Sequence, residues 1–221
     1  MVRNIHLFAD LGATLAKPLF EQTEFPWEVL PKIKDFVRAL GPTLDPNEYD
    51  LVEKDVWVHK SCKVYPTATM IGPTIICEGT EVRPGAFIRG SVLVGKNCVI
   101  GNSTELKNCI LFDHAQAPHY NYIGDSIFGQ YAHTGAGAIC SNLKSDKTPV
   151  TVYGAGTDAY ATGLKKFGAI LGDRVEVGCN SVLCPGTVIC PFSNIYPLTR
   201  VRGIIPPNCI VKSMDAIVEK R

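Results

Sequence analysis

Residues 104–147 read TELKNCILFDHAQAPHYNYIGDSIFGQYAHTGAGAICSNLKSDK. Three of the five histidines of the chain fall in this stretch, His114, His119 and His133. Lys107, Tyr122 and Asp125 lie among them, and the small residues Gly135-Ala136-Gly137-Ala138 follow. A neutral imidazole accepts a proton near pH 7. A lysine ammonium holds an anion as a point charge, and a Gly-Ala run lets a ligand lie close against the backbone. A lone histidine is more often a hydrogen-bonded core residue than a base. The company of Lys107, Tyr122 and a small-residue run shifts the balance toward a site.

The elements that would position these groups follow from a period of six. Stepping from Val58 gives Val64, Met70, Ile76, Val82, Ile88, Val94, Ile100, Leu106 and Phe112, all apolar. Two residues earlier runs a smaller series: Val56, Cys62, Ala68, Thr74, Thr80, Ala86, Val92, Cys98, Thr104 and Ile110. The pattern restarts at Leu171 and continues through Val177, Leu183, Ile189, Ile195 and Val201. Neither a helix nor a plain strand puts one residue class at every sixth place. Short strands turned at fixed intervals do, each sending one large side chain and its small companion into a narrow core. Glycines such as Gly79, Gly85, Gly95, Gly101 and Gly186 fall between the strands, at the corners. A six-residue unit buries nothing alone, so the units must stack as a solenoid.

Two segments break the period. In FPWEVLPKIKDFVRALGP, Trp27, Leu30, Ile33, Val37 and Leu40 stand at helical spacing and Pro42 follows, which predicts a helix. A second short helix is expected within residues 3–17. Residues 1–50 therefore read as a helical appendage, expected to cap the open edge of the solenoid, and residues 51–221 as the solenoid itself. Residues 143–168 read as a loop inserted at one corner, where solenoids often carry function. Within it, GAGTDA (154–159) mimics a dinucleotide fingerprint but has no strand–helix unit around it.

Composition bounds the rest. The 221 residues carry 22 Lys plus Arg against 21 Asp plus Glu, a net charge of +1. That balance gives no overall pull toward nucleic acid or anionic membranes. No apolar run reaches the ~18 residues of a membrane span, and the first residues lack a secretory signal. Nine scattered cysteines without a CxxC pair read as reduced thiols in a cytoplasm.

The hexapeptide pattern resembles the hexapeptide-repeat acyltransferase family. That resemblance implies an all-β, left-handed parallel β-helix that packs as a homotrimer. The strings RPGAFIRG (83–90), GNSTELKN (101–108), PHYNYIGDS (118–126), GAG (135–137), SNLKSD (141–146) and LKKFGAILGD (164–173) are more specific. They resemble the acetyltransferase half of the bifunctional enzymes that make UDP-N-acetylglucosamine, over roughly residues 55–210. What the resemblance implies is acetyl transfer from acetyl-CoA to the amine of glucosamine-1-phosphate or galactosamine-1-phosphate, with no metal required. It implies His119 as catalytic base, Arg83 and Lys107 on the sugar phosphate, and Tyr122, His133 and Asn142 around the amino sugar. It also implies the Ala136-Gly137 backbone, Lys165, Lys166 and Arg202 for acetyl-CoA. The family usually has Asn where His133 stands and Thr where Ala138 stands. The α/β uridyltransferase half has no counterpart in these residues, so pyrophosphorylase activity is not expected of them.

The implied chemistry is physically coherent. An amine attacking a thioester must lose a proton, which His119 would take, and the oxyanion needs backbone donors such as those around Ala136. No protein nucleophile is called for, so Cys140 need not react. Two rival readings use the same scaffold. The γ-class carbonic anhydrases, which this fold also resembles, hold zinc through three His, two of them five residues apart like His114 and His119. Where the third would stand, this chain has Glu78. The other rival is a non-catalytic scaffold partnering a separate nucleotidyltransferase.

Overall fold

The computed structural model describes residues 2–154 and 157–220, so Ala155 and Gly156 of the GAGTDA string lie outside the described residues. From Val56 onward the chain winds as a parallel β-helix with three faces. On the first face Val56–His59, Thr74–Ile76 and Val92–Val94 pair in parallel with one another. Val56 opposes Thr74 and Thr74 opposes Val92, eighteen residues per coil. The second face carries Lys63–Val64, Glu81–Val82 and Val99–Asn102, and the third Thr69–Met70, Phe87–Ile88 and the start of Glu105–Leu111.

The inward residues are those of the six-residue series. Ile76, Val82, Ile88, Val94, Ile100, Leu106, Leu183, Ile189, Ile195 and Val201 form one continuous buried cluster down the axis. The last member of the first run does not. Val94 opposes Leu111 and Leu111 opposes Phe128, so these two coils have seventeen residues. Five residues separate Leu106 from Leu111, and a one-residue change of phase turns a strand's side chains over. Leu111 therefore takes the axis, while Phe112 faces outward and stacks on Phe8 at 4.7 Å with Phe20 edge-on at 5.3 Å.

The helical segment does not cap an end. It lies along the first face, whose outward column Trp57, Ile75, Leu93, Ile110, Ile127, Ile170 and Val188 is apolar and buried beneath it. The segment also differs in form from the single helix that its spacing predicts. Pro26–Lys32 is 3₁₀ and only Ile33–Leu40 is α-helical. Pro31 has no N–H, and its ring would strike the carbonyl four residues back in an α-helix, so the regular helix starts only beyond it. Within residues 3–17 the turns are short, Asn4–Leu7 and Leu11–Ala13, with Lys17–Glu21 after them. The Asp173 carboxylate ties this segment to the coils by accepting the N–H groups of Ala9 and Gln130, each at 2.8 Å.

At each end one face is closed by a chain reversal instead. Tyr49–Glu53 runs antiparallel to Val56–His59, and Ala216–Glu219 antiparallel to Cys209–Ser213. The inserted segment leaves after Ile139–Cys140 and returns at Ala169–Leu171. It holds an antiparallel hairpin, Thr151–Tyr153 with Ala159–Ala161. Its Tyr160 and Phe167 lie 6.0 Å from Trp27, so both additions to the repeat share the first face. Among the described residues no helix is long and apolar enough to cross a membrane.

Candidate functional site

His119 ends the second-face strand Gln116–His119, opposite Asn102 on the coil before. Its side chain is exposed, and its carbonyl accepts the N–H of Gly137 at 3.0 Å from the coil after. The small-residue turn thus lies directly against the histidine. Gly135 N–H donates to Val177 and Gly137 N–H to His119, both at the carbonyl. The N–H of Ala136, between them, makes no hydrogen bond among the described residues.

Asn121, which sequence reasoning passed over, holds the two segments together. It is 3% exposed. Its Oδ1 accepts the N–H of His119 at 3.2 Å, and its Nδ2 donates to the carbonyls of Gly135 at 2.9 Å and Ala138 at 3.2 Å. The signal available was a short amide side chain at a corner, where Asn bonds nearby backbone readily.

On the third face, outward ladders climb from coil to coil. Glu105 opposes Tyr122 and Lys107 opposes Gly124. Lys107, Tyr122 and Asn142 converge there, around the buried Asp125. One Asp125 oxygen accepts Asn108 Nδ2 at 2.9 Å; the other accepts Asn142 Nδ2 at 2.5 Å and meets Lys107 Nζ at 3.5 Å. Asn142 Nδ2 also donates to the Tyr122 hydroxyl oxygen at 3.2 Å. Gly124 leaves room for this contact, since a Cβ there would push that hydroxyl and that amide aside. Burial pushes the Tyr122 hydroxyl pKa up, and the Asp125 and Glu105 carboxylates push it further, so the phenol keeps its proton and can donate it.

The other expected residues are distributed differently. Arg83 pairs with Glu81 at 3.1 Å on the second face, two coils before His119. His133 stands apart from the Lys107 cluster, on the second face, where its Nδ1 meets Glu176 at 2.7 Å beside a cleft lined by His114, Tyr131 and Arg174. Lys165 and Lys166 are exposed at the return of the inserted segment. Arg202 stacks over Tyr153 of the inserted hairpin at 5.2 Å, and both line a cleft of about 240 Å³ with Arg200 and Cys184. Cys140 is buried, and burial pushes its thiol up to about 12, which leaves it unreactive at neutral pH. His114 precedes the strand that His119 ends, and its ring stacks on Tyr131 at 4.5 Å. Among the described residues no three His, Cys, Asp or Glu side chains converge as a metal-ligand set.

With the geometry in place, similarity to known proteins is informative. Residues 70–205, more than half of the chain, match the family described as the GMPPB C-terminal domain. The chain belongs to that family. Curated relatives of this GMPPB C-terminal domain chain include the "Bifunctional protein GlmU" of Methanococcus vannielii, 32% identical over 215 residues, covering 89% of this chain and 48% of the relative. The same-named protein of Methanococcus aeolicus is 34% identical over 195 residues, covering 80% and 46%. A "Bifunctional sugar-1-phosphate nucleotidylyltransferase/acetyltransferase" of Sulfurisphaera tokodaii is 31% identical over 145 residues, covering 57% and 36%. The chain thus spans about half the length, or less, of these relatives. The crystal structure of PerB from Caulobacter crescentus with CoA and GDP-perosamine overlaps 75% of this chain and 57% of that one. Its identity is 13% and its TM-score 0.37, a likeness too loose to carry an argument.

Proposed function

We propose that this protein transfers the acetyl group of acetyl-CoA to the amine of a hexosamine-1-phosphate, working as a homotrimer in the cytoplasm. The observation that carries the reading is the juxtaposition of an exposed histidine with an unused backbone donor. His119 and the Ala136 N–H sit on adjacent coils, pinned by Asn121. The name of the Sulfurisphaera tokodaii relative, which pairs sugar-1-phosphate chemistry with acetyl transfer, points the same way.

In this reading the substrate amine forms the new C–N bond at the thioester carbonyl while His119 takes the amine proton. The tetrahedral oxyanion is held by the Ala136 N–H. Its collapse breaks the C–S bond, and the departing thiolate takes the proton back from the imidazolium. Lys107 and Arg83 hold the sugar phosphate, and Tyr122, His133 and Asn142 contact the sugar, with the second-face Arg83 and His133 supplied to the third-face cluster by a neighbouring subunit of the trimer. Gly137, Lys165, Lys166 and Arg202 serve acetyl-CoA. No metal ion takes part in any of these steps.

The test is thiol release from acetyl-CoA by the purified protein, with glucosamine-1-phosphate and galactosamine-1-phosphate offered separately, before and after a chelator. Release that survives chelation and falls at least ~100-fold in His119→Ala is expected, the usual scale for a general base. A variant as active as the parent would remove His119 from the mechanism. Silence with both sugars would leave the scaffold reading standing.

A further inference from the structure

The Asp125 carboxylate is buried, and three side chains, Lys107, Asn108 and Asn142, converge on it. Its side chain is 7% exposed, and its backbone takes a left-handed φ of +50°. An ionised carboxylate only accepts hydrogen bonds. Asn142 must therefore turn its Nδ2 inward, to Asp125 at 2.5 Å and to the Tyr122 hydroxyl oxygen at 3.2 Å. Both amide hydrogens are consumed. What remains for a ligand is the Asn142 carbonyl oxygen, an acceptor, and the Tyr122 O–H, a donor. The same carboxylate draws Lys107 Nζ to 3.5 Å and accepts Asn108 Nδ2, whose amide also donates to the Leu30 carbonyl at 3.2 Å. The Asp125 carbonyl accepts the N–H of Gly168, where the inserted segment rejoins the coil.

From this geometry we infer that Asp125 is a positioning residue that sets the donor and acceptor polarity of the third-face site. It holds Asn142 acceptor-outward and Tyr122 donor-outward, a pair complementary to vicinal amine and hydroxyl groups on a sugar ring. The inference rests on the acetyltransferase reading above. It deepens that reading by naming the group that orients the sugar.

Asp125→Asn is the informative change. Asn97, Asn108, Asn180 and Asn208 already occupy left-handed corner positions, so the backbone accepts it. The new amide has one acceptor in place of two, and Asn142 loses its fixed orientation. The expected result is a KM for the amino-sugar phosphate raised about tenfold, with kcat and the KM for acetyl-CoA within about threefold of the parent. In an Asn142→Ala background the same change should raise the sugar KM much less than in the parent, because most of the effect travels through Asn142 and only the Lys107 contact remains. As a control, Asn108→Ala removes the carboxylate's other amide and its tie to Leu30. It should lower the melting temperature and leave the sugar KM alone. Should Asp125→Asn not accumulate folded, Asp125→Ser, a residue the corners at Ser91 and Ser103 also use, is titrated with the sugar phosphate by calorimetry. A tenfold weaker Kd is then expected. An unchanged sugar KM or Kd, or an equal rise in Asn108→Ala, would overturn the inference. A parent protein that acetylates neither sugar would overturn the reading beneath it instead.

Discussion

The first and third faces of this solenoid are built on one inward pattern and differ only in what they turn outward. On the first face, Ile110 and Ile127 sit on adjacent coils and vanish beneath the helical segment, each fully buried. On the third face, the same two strands carry Glu105, Lys107 and Tyr122, and the surface stays open. The inward residues make the thread, and the outward residues decide whether a face becomes core or site. A single strand serves both ends, since Glu105–Leu111 starts on the third face and ends on the first.

Substitutions can press on that contrast. The largest effect is expected at Phe112, which joins Phe8 and Phe20 to the covered face. Phe112→Ala should cost about 3–5 kcal/mol. In a chain of this size that is roughly a 10 °C fall in the melting temperature by calorimetry, with the sugar KM unchanged. A paired substitution comes next. Ile110→Ala, on the covered face, should cost about 2–5 kcal/mol. Ile139→Ala, outward on the third face and 39% exposed, should stay within about 0.5 kcal/mol in urea titrations. Equal costs would mean that the two faces are not distinguished by what covers them.

A pH test concerns the thiols. Burial pushes Cys77 and Cys140 up to about 12 from an ordinary value of 9.0. Between those values the folded state holds protons that the unfolded chain has lost. Stability is therefore fully present below pH ~9 and declines as pH rises toward 12. Urea midpoints measured at pH 8 and pH 10.5 should show the decline. Alkylation of the native protein at pH 8 should reach the exposed Cys179 while sparing Cys140.

The axis of the molecule was legible because it repeats: Ile76 through Leu106 and Leu171 through Val201 are where a six-residue step puts them. The step also went wrong for a physical reason. At Leu106–Leu111 the corner is one residue shorter, yet position 112 is still apolar, so the change of phase left no mark in residue type. The covered face was hidden likewise. Trp57, Ile75 and Leu93 sit next to inward residues, and an outward apolar side chain declares itself only once its cover is known. Clustering with a small-residue run singled out His119, Lys107 and Tyr122, but their separate roles, and Asn142 itself, came only from short strings that resemble a family. Asp125 lies inside one of those strings and was given no role, because an acid followed by serine at a turn looks like any solvated corner. Its meaning comes from Asn108 and Asn142, which approach it from neighbouring coils.

The reversed strands at the two ends bear on polymerisation. A stack of parallel coils presents, at each end, a ladder of unpaired N–H and C=O groups that would accept another coil of the same direction, the geometry by which cross-β fibres grow. Here one face at each end finishes in a strand that runs the other way, with Asp50 and Glu53 on one and Glu219 on the other. On those faces an arriving parallel coil meets a strand of the wrong polarity. A further coil must pair on all three faces at once, so one reversed strand at each end is enough to spoil its docking.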